Sequence, residues 1–147
     1  MGLIREASGS RDCQTCADIW LAASLVAHDF IDGDFWRAQR AAMAEMYLPE
    51  ADLLLMIERD GQAAGFAAMK GRRLAALFVR PATQGRGLGR ELMLHLFGLY
   101  PEMELAVYRK NPRAAAFYQS LGFEPAGEGF CAHSGEAEIR MKKSPRH

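Results

Sequence analysis

Hydrophobic residues recur along this chain with two different periods, and the switches between them mark its elements. LIREA (3–7) reads as a short first strand. From Asp12 to about Ala27 apolar residues return at helical spacing, among them Cys16, Ile19, Trp20 and Ala23. HDFIDGD (28–34) breaks that helix at Gly33. A second helix runs from Asp34, in N-cap position, to about Tyr47, and Pro49 stops it. Residues 51–80 divide into three strands, with Asp60-Gly61 as a two-residue hairpin turn and Gly71 in a second turn. LAALFV (74–79) is apolar on both faces, as a central strand is, and Pro81 ends it. Leu88, Leu92, Leu96 and Leu99 then share one helical face, with Met93 and Phe97 beside them, before Pro101. MELAVY (103–108) is a further strand. NPRAAAFYQSLG is a short helix with Asn111 as N-cap, Pro112 at the first helical position and Gly122 just past the end. Two last strands fill FEPAGEGFCAHSGEAEIRMKK, joined by a polar turn. The order βααβββαβαββ predicts an α/β fold of the mixed α+β kind: one sheet with helices on its faces. A chain of 147 residues suits a single domain spanning 1–147.

Composition narrows the setting. Half the residues are hydrophobic and 24% are charged, an ordinary globular balance. No apolar run reaches the 18 or so residues of a membrane span, and the start has no signal-peptide core, so no membrane association is expected. Cys13 and Cys16 form a C-x-x-C inside a helical pattern with no second pair. They read as helix-face thiols in a cytoplasmic protein, and no metal site is expected. The net charge of zero hides an asymmetry. Residues 1–69 hold five Lys/Arg against eleven Asp/Glu, whereas residues 70–113 hold nine against three. Positive charge therefore surrounds one glycine-rich segment, which points to an anionic ligand there.

That segment is QGRGLGRELM, starting at Gln84 and following the 74–79 strand. Strand, glycine turn, helix is an arrangement that binds phosphate, because the first amides of a helix are unpaired and carry the positive end of its dipole. The nucleotide-binding P-loop pattern fails for want of Lys-Ser/Thr. The dinucleotide pattern fails because Arg90 stands at its third glycine, which disfavours a dinucleotide-binding protein. What remains is Gln84-x-x-Gly87-x-Gly89.

This segment resembles the acetyl-coenzyme A loop of the GNAT superfamily of N-acetyltransferases, (Q/R)-x-x-G-x-(G/A). NPRAAAFYQSLGF (111–123) resembles the same family's N-x-x-A-x-x-(F/L)-Y-x-x-x-G-F, in the family's order and spacing. The resemblance covers nearly the whole chain in element order and suits a small bacterial single-domain member. It implies a mostly antiparallel sheet splayed between its fourth and fifth strands, with a pantetheine arm lying in the gap. Leu77, Phe78 and Val79 would offer backbone groups to that arm, one amide near Leu77 or Phe78 polarising the acetyl carbonyl. Amides of Gly85, Arg86, Gly87, Leu88, Gly89 and Arg90, after Gln84, would wrap the pyrophosphate, with Arg86 and Arg90 adding side-chain charge or remaining solvated. By the resemblance Asn111 holds the pantetheine arm or the substrate; as a residue it is also a helix cap. Tyr118, two helical turns on, would bind the cofactor and protonate the departing thiolate, or simply pack beside Phe117.

The proton acceptor is the thin part of the pattern. Some family members carry a Glu on the strand after the glycine helix, and Ala106 stands in that place here. His28 is the substitute candidate, since its ordinary pKa suits proton removal near neutrality; Glu104 is a weaker one. His95, His133 and His147 are given no chemistry. The implied activity is transfer of acetyl from acetyl-CoA, as co-substrate, to a primary amine by direct attack. The acceptor stays open between small molecules and peptide or protein lysines. Acidic residues over 28–52 favour a cationic amine, and the state is monomer or homodimer. A non-catalytic acyl-CoA sensor and an aminoacyl-tRNA-acetylating toxin of the same fold stand as alternatives. The latter needs a broad basic surface that the charge pattern does not offer, so a nucleic-acid partner is not expected.

Overall fold

The structure, a computed structural model, describes residues 2–145. Its strands are β1 (Leu3–Glu6), β2 (Leu53–Arg59), β3 (Gln62–Lys70), β4 (Arg73–Val79), β5 (Met103–Tyr108), β6 (Glu124–Phe130) and β7 (Ala137–Lys143). Its helices are α1 (Gly9–Ala27), α2 (Gly33–Ala42), α3 (Leu88–Phe97) and α4 (Pro112–Ser120). The element order is the one the hydrophobic periods predict.

Four local details differ from the sequence reading. α1 starts at Gly9 rather than Asp12, because the Asp12 carboxylate accepts the Ser8 amide at 3.0 Å and is gripped by Arg5, again at 3.0 Å. That ion pair holds Asp12 down at about 2. The cap of α2 is Asp32, not Asp34: its Oδ1 accepts the Asp34 amide at 2.9 Å. The α-helical part of α2 ends at Ala42, and a π-helical turn, Met43–Tyr47, carries the chain on to Leu48. Leu99 lies past the end of α3 and is 56% exposed, whereas Leu88, Leu92, Met93 and Leu96 are all at most 1% exposed.

The sheet order is β1-β2-β3-β4-β5-β7-β6, antiparallel throughout except where β4 meets β5. Alternation divides the core in two. Leu55, Ile57, Ala67 and Met69 face α3 and α4, while Leu54, Met56, Phe66 and Ala68 face α1 and α2. On β4 the alternation slips. Met69 pairs with Leu74 and Ala68 with Ala76, so Ala75 is an extra, bulged residue. Leu74 consequently joins the α3 face and Ala76 the α1 face.

Cys13 and Cys16 are both buried in α1, and burial pushes the Cys16 thiol up to about 12. These are packing thiols, protonated and unreactive.

Candidate active site

β4 and β5 run parallel but touch only at their starts. Arg73 is in register with Glu104, the Glu104 amide donates to the Arg72 carbonyl at 3.0 Å, and no pairing follows. From Leu74 to Val79 on one side and Leu105 to Tyr108 on the other, no ladder joins the two facing edges, and only the Val79 and Tyr108 carbonyls at their ends are taken, by Gln84 Nε2 and the Asn111 amide. Each strand is tied down only from behind, β4 by β3 and β5 by β7. Such a gap offers free N–H and C=O groups to an extended ligand, in the manner of an added strand. The sheet is thereby open, and a cavity of about 600 Å³ passes through it. Leu77, Phe78 and Val79 line it.

At the wide end of the gap the chain turns into α3. Gln84 donates from Nε2 to the Val79 carbonyl at 3.1 Å, which closes the turn onto the end of β4. Gly85 and Gly87 have φ of +81° and +79°, a conformation that costs an L-residue about 1–2 kcal/mol, and no heavy atom comes within 4 Å of where their Cβ would stand. The glycines thus serve both the backbone turn and an open cradle. Leu88, the first residue of α3, is locked in the core. The first intrahelical bond is Glu91 N–H to the Gly87 carbonyl, so the amides of Leu88, Gly89 and Arg90 have no helical partner. Arg86 and Arg90 are exposed, and among the described residues neither makes an ion pair. Free amides, a helix dipole, two free guanidiniums and open space fit a pyrophosphate.

Side chains from both layers enter the cavity. From the α4 side comes Tyr118, packed edge-on against Phe117 and Phe123, with ring centroids 5.1 and 5.6 Å away. Burial raises its phenol above the ordinary value, so it stays protonated, and among the described residues its hydroxyl has no hydrogen-bond partner. Asn111 caps α4, its Oδ1 accepting the Ala114 amide at 3.3 Å. That fixes the amide, and its Nδ2 then donates to His28 Nε2 at 3.2 Å. His28, on the α1 side, is 91% buried and ringed by Phe30, Trp36, Phe78 and Tyr108. Desolvation pushes its pKa down to about 4, so the ring is neutral near pH 7. With Nε2 accepting, the proton sits on Nδ1, which has no partner among the described residues.

The remaining wall carries residues the sequence did not single out. The Tyr108 hydroxyl donates to Cys131 Sγ at 3.4 Å and accepts from Ser134 Oγ at 3.4 Å. Burial would raise the Cys131 thiol, but hydrogen bonds from Ser134 and Tyr108 outweigh it and bring it below the usual range. Tyr47 meets the ring of His133 at 6.0 Å, and both, with Glu138, line the cavity. Glu104 is exposed and does not line it, while Ala106 does. His95 is exposed on α3, and His147 lies outside the described residues. Tyr108, two residues after Ala106 on one strand, shares its face, and that was the signal available for it. Nothing local pointed to Glu138. No group of three or more His, Cys, Asp or Glu residues suited to a metal exists among the described residues, and no described helix is long and apolar enough to cross a membrane.

Residues 31–145 match the family described as the acetyltransferase (GNAT) domain. The peptidyl-lysine N-acetyltransferase YiaC of Escherichia coli strain K12 is 36% identical over 138 residues, covering 93% of this chain and 91% of YiaC. The solution structure of apo YjaB from Escherichia coli superposes with a TM-score of 0.85 at 25% identity, over 99% of both chains. The PaiA N-acetyltransferase of Thermoplasma acidophilum, solved in complex with coenzyme A, shares the fold with a TM-score of 0.78 at 18% identity, over 98% of this chain and 99% of that one.

Proposed function

The chain belongs to the GNAT family of acetyltransferases, and from that premise we propose that it acetylates the side-chain amine of lysine in peptides or proteins, with acetyl-CoA as donor. The observation that carries the reading is a single cavity lined by the unpaired edges of β4 and β5, by Tyr118 from one layer and by an aromatic, acid-bearing wall from the other. A thioester lying along β4 would meet an amine entering from the α1 side. The lysine acceptor is supported by the names of the relatives, YiaC and YjaB, both peptidyl-lysine N-acetyltransferases.

In this proposal the amides of Gly85 to Arg90, with Arg86 and Arg90, take the pyrophosphate, and Gln84 holds the turn in shape. Leu77, Phe78 and Val79 pair with the pantetheine arm, and an amide near Leu77 or Phe78 steadies the carbonyl oxygen as charge grows on it. The amine nitrogen forms its bond to the carbonyl carbon and the C–S bond breaks. Tyr118 gives its phenolic proton to the departing sulfur. Asn111 positions the arm or the substrate through its fixed amide.

His28 is proposed as acceptor of the proton the amine loses. Its neutral form and its place on the cavity wall support the role; its low proton affinity and the engagement of Nε2 by Asn111 weigh against it, so the pH profile of a His28 variant is the deciding measurement. A cytoplasmic setting, a single domain over 1–147, and a monomer or homodimer complete the proposal.

The test is acetyl-CoA with a lysine-containing peptide and the same peptide with lysine replaced by norleucine and a blocked N-terminus. Thiol release and an acetyl mass increment on the first peptide alone are expected. Acetylation only of α-amines or of small polyamines would sink the lysine assignment.

A further inference from the structure

We infer that Glu138 is the anchor for the ammonium group of the acceptor, standing in from β7 for the acid that Ala106 on β5 lacks. The inference rests on the acetyl-transfer reading and names how that site chooses a cationic amine.

β5 and β7 pair antiparallel with Ala106 opposite Arg140 and Tyr108 opposite Glu138. Directly paired residues share a face, so Ala106, Tyr108, Arg140 and Glu138 all project to one side. Glu138 is then the diagonal neighbour of Ala106, about 7–8 Å away between backbones. The small side chain at 106 leaves that space to Glu138, which lines the cavity.

Its charge has no counter-ion. Among the described residues Glu138 makes neither an ion pair nor a side-chain hydrogen bond, whereas two acids near it are engaged: Glu136, just before β7, with Lys110 at 3.2 Å, and Glu128 on β6 with Arg109. Arg140, two residues on along β7 and on the same face, leans the other way. Its guanidinium lies over Gly127 on β6, 2.7 Å from where a Cβ would stand. Lys70 and Arg73 line the far end of the cavity, where Arg73 is in backbone register with Glu104. Glu104 is four residues before Tyr108, about 13 Å along the strand. His133 lines the cavity against Tyr47.

A carboxylate that lines a cavity without a protein partner is left available to a charge-assisted hydrogen bond from a cation. The same cavity is lined by the rings of Tyr108, Trp36, Phe78 and Tyr47, which also favour an ammonium group. A primary alkyl ammonium, such as a lysine side chain, meets both demands; a neutral or anionic acceptor meets neither.

The experiment is calorimetric titration of the CoA-saturated protein with Nα-acetyl-lysine methylamide, and with the analogue in which a methyl group replaces the ammonium. For Glu138→Gln, affinity for the lysine probe should fall at least tenfold. Affinity for the neutral analogue and for acetyl-CoA should stay at the parent value, and Glu138→Asp should recover part of the loss. Equal lysine-probe affinity in parent and Glu138→Gln overturns the anchor. So does an equal loss for the neutral analogue, which marks a merely structural role, or a parent that does not bind the lysine probe at all. Failure of the parent to bind acetyl-CoA would instead remove the transferase reading itself.

Discussion

Replacing Tyr118 by Phe separates chemistry from packing in one atom. The ring of Tyr118 is part of the core against Phe117 and Phe123, and the residue is 8% exposed. Phe keeps that burial, worth about 1.5–3 kcal/mol for a large apolar side chain. The hydroxyl has no protein partner among the described residues, so its removal strands no donor or acceptor. The usual loss of about 1 kcal/mol for a deleted hydrogen bond should therefore be absent, and the melting temperature should hold or rise. Turnover should behave oppositely. Loss of a positioned general acid costs about 10²-fold or more, equivalent to about 2.7 kcal/mol in the barrier. The raised phenol pKa means the acid is fully protonated across the working range, so the defect should be independent of pH. It should shrink with acyl donors whose thiols are more acidic, since those leave unaided. The assay is thiol release under saturating acetyl-CoA and lysine peptide, beside thermal unfolding of the same preparations. Parent-like turnover would refute the acid role. A fall in stability above about 1 kcal/mol would show that the hydroxyl is bonded within the fold, and the argument from its unpartnered state would be wrong.

The glycine turn can be tested by a pair of variants. Gly87→Ala puts a Cβ on a residue at φ +79°, so it should cost about 1–2 kcal/mol of stability and weaken acetyl-CoA binding. Gly89→Ala, whose Cβ would sit 3.6 Å from Phe117 Cζ, should leave stability level or slightly higher; equal effects in the two would refute the conformational argument. His28 gives a pH signature. Its folded pKa of about 4 lies below the ordinary 6.5, so the unfolded chain binds the proton first. Stability should fall from about pH 6.5 down to about pH 4, by on the order of 3 kcal/mol, and His28→Phe should flatten that window in denaturant titrations. If His28 also receives the substrate proton, His28→Ala should cut kcat/KM by about 10²–10⁴-fold and move the acidic limb of the rate profile; an unmoved limb would assign the proton elsewhere.

Local pattern reached far into this protein. The two hydrophobic periods, Asp60-Gly61, Pro112 and Gly122 determined the element order, because each records a backbone preference that neighbours along the chain satisfy. Positive φ at Asp60 and Gly61, at Gly85 and Gly87, and at Gly122 is where those residue types imply it. The glycine turn was legible for the same reason: Gln84 to Arg90 is contiguous, and its amides are aimed by the start of one helix. The opposite wall of the cavity was not. His28 meets Asn111 across 83 positions. Glu138 meets the cavity only because β7 inserts between β5 and β6 and lines up its residue with Tyr108. Ala75 shifts the faces of β4 by one place through a bulge whose extra residue no periodicity announces. A sheet that parts between β4 and β5 lets side chains from both of its layers share one space. Register and strand order, set by packing over the whole chain, decided which side chains those would be.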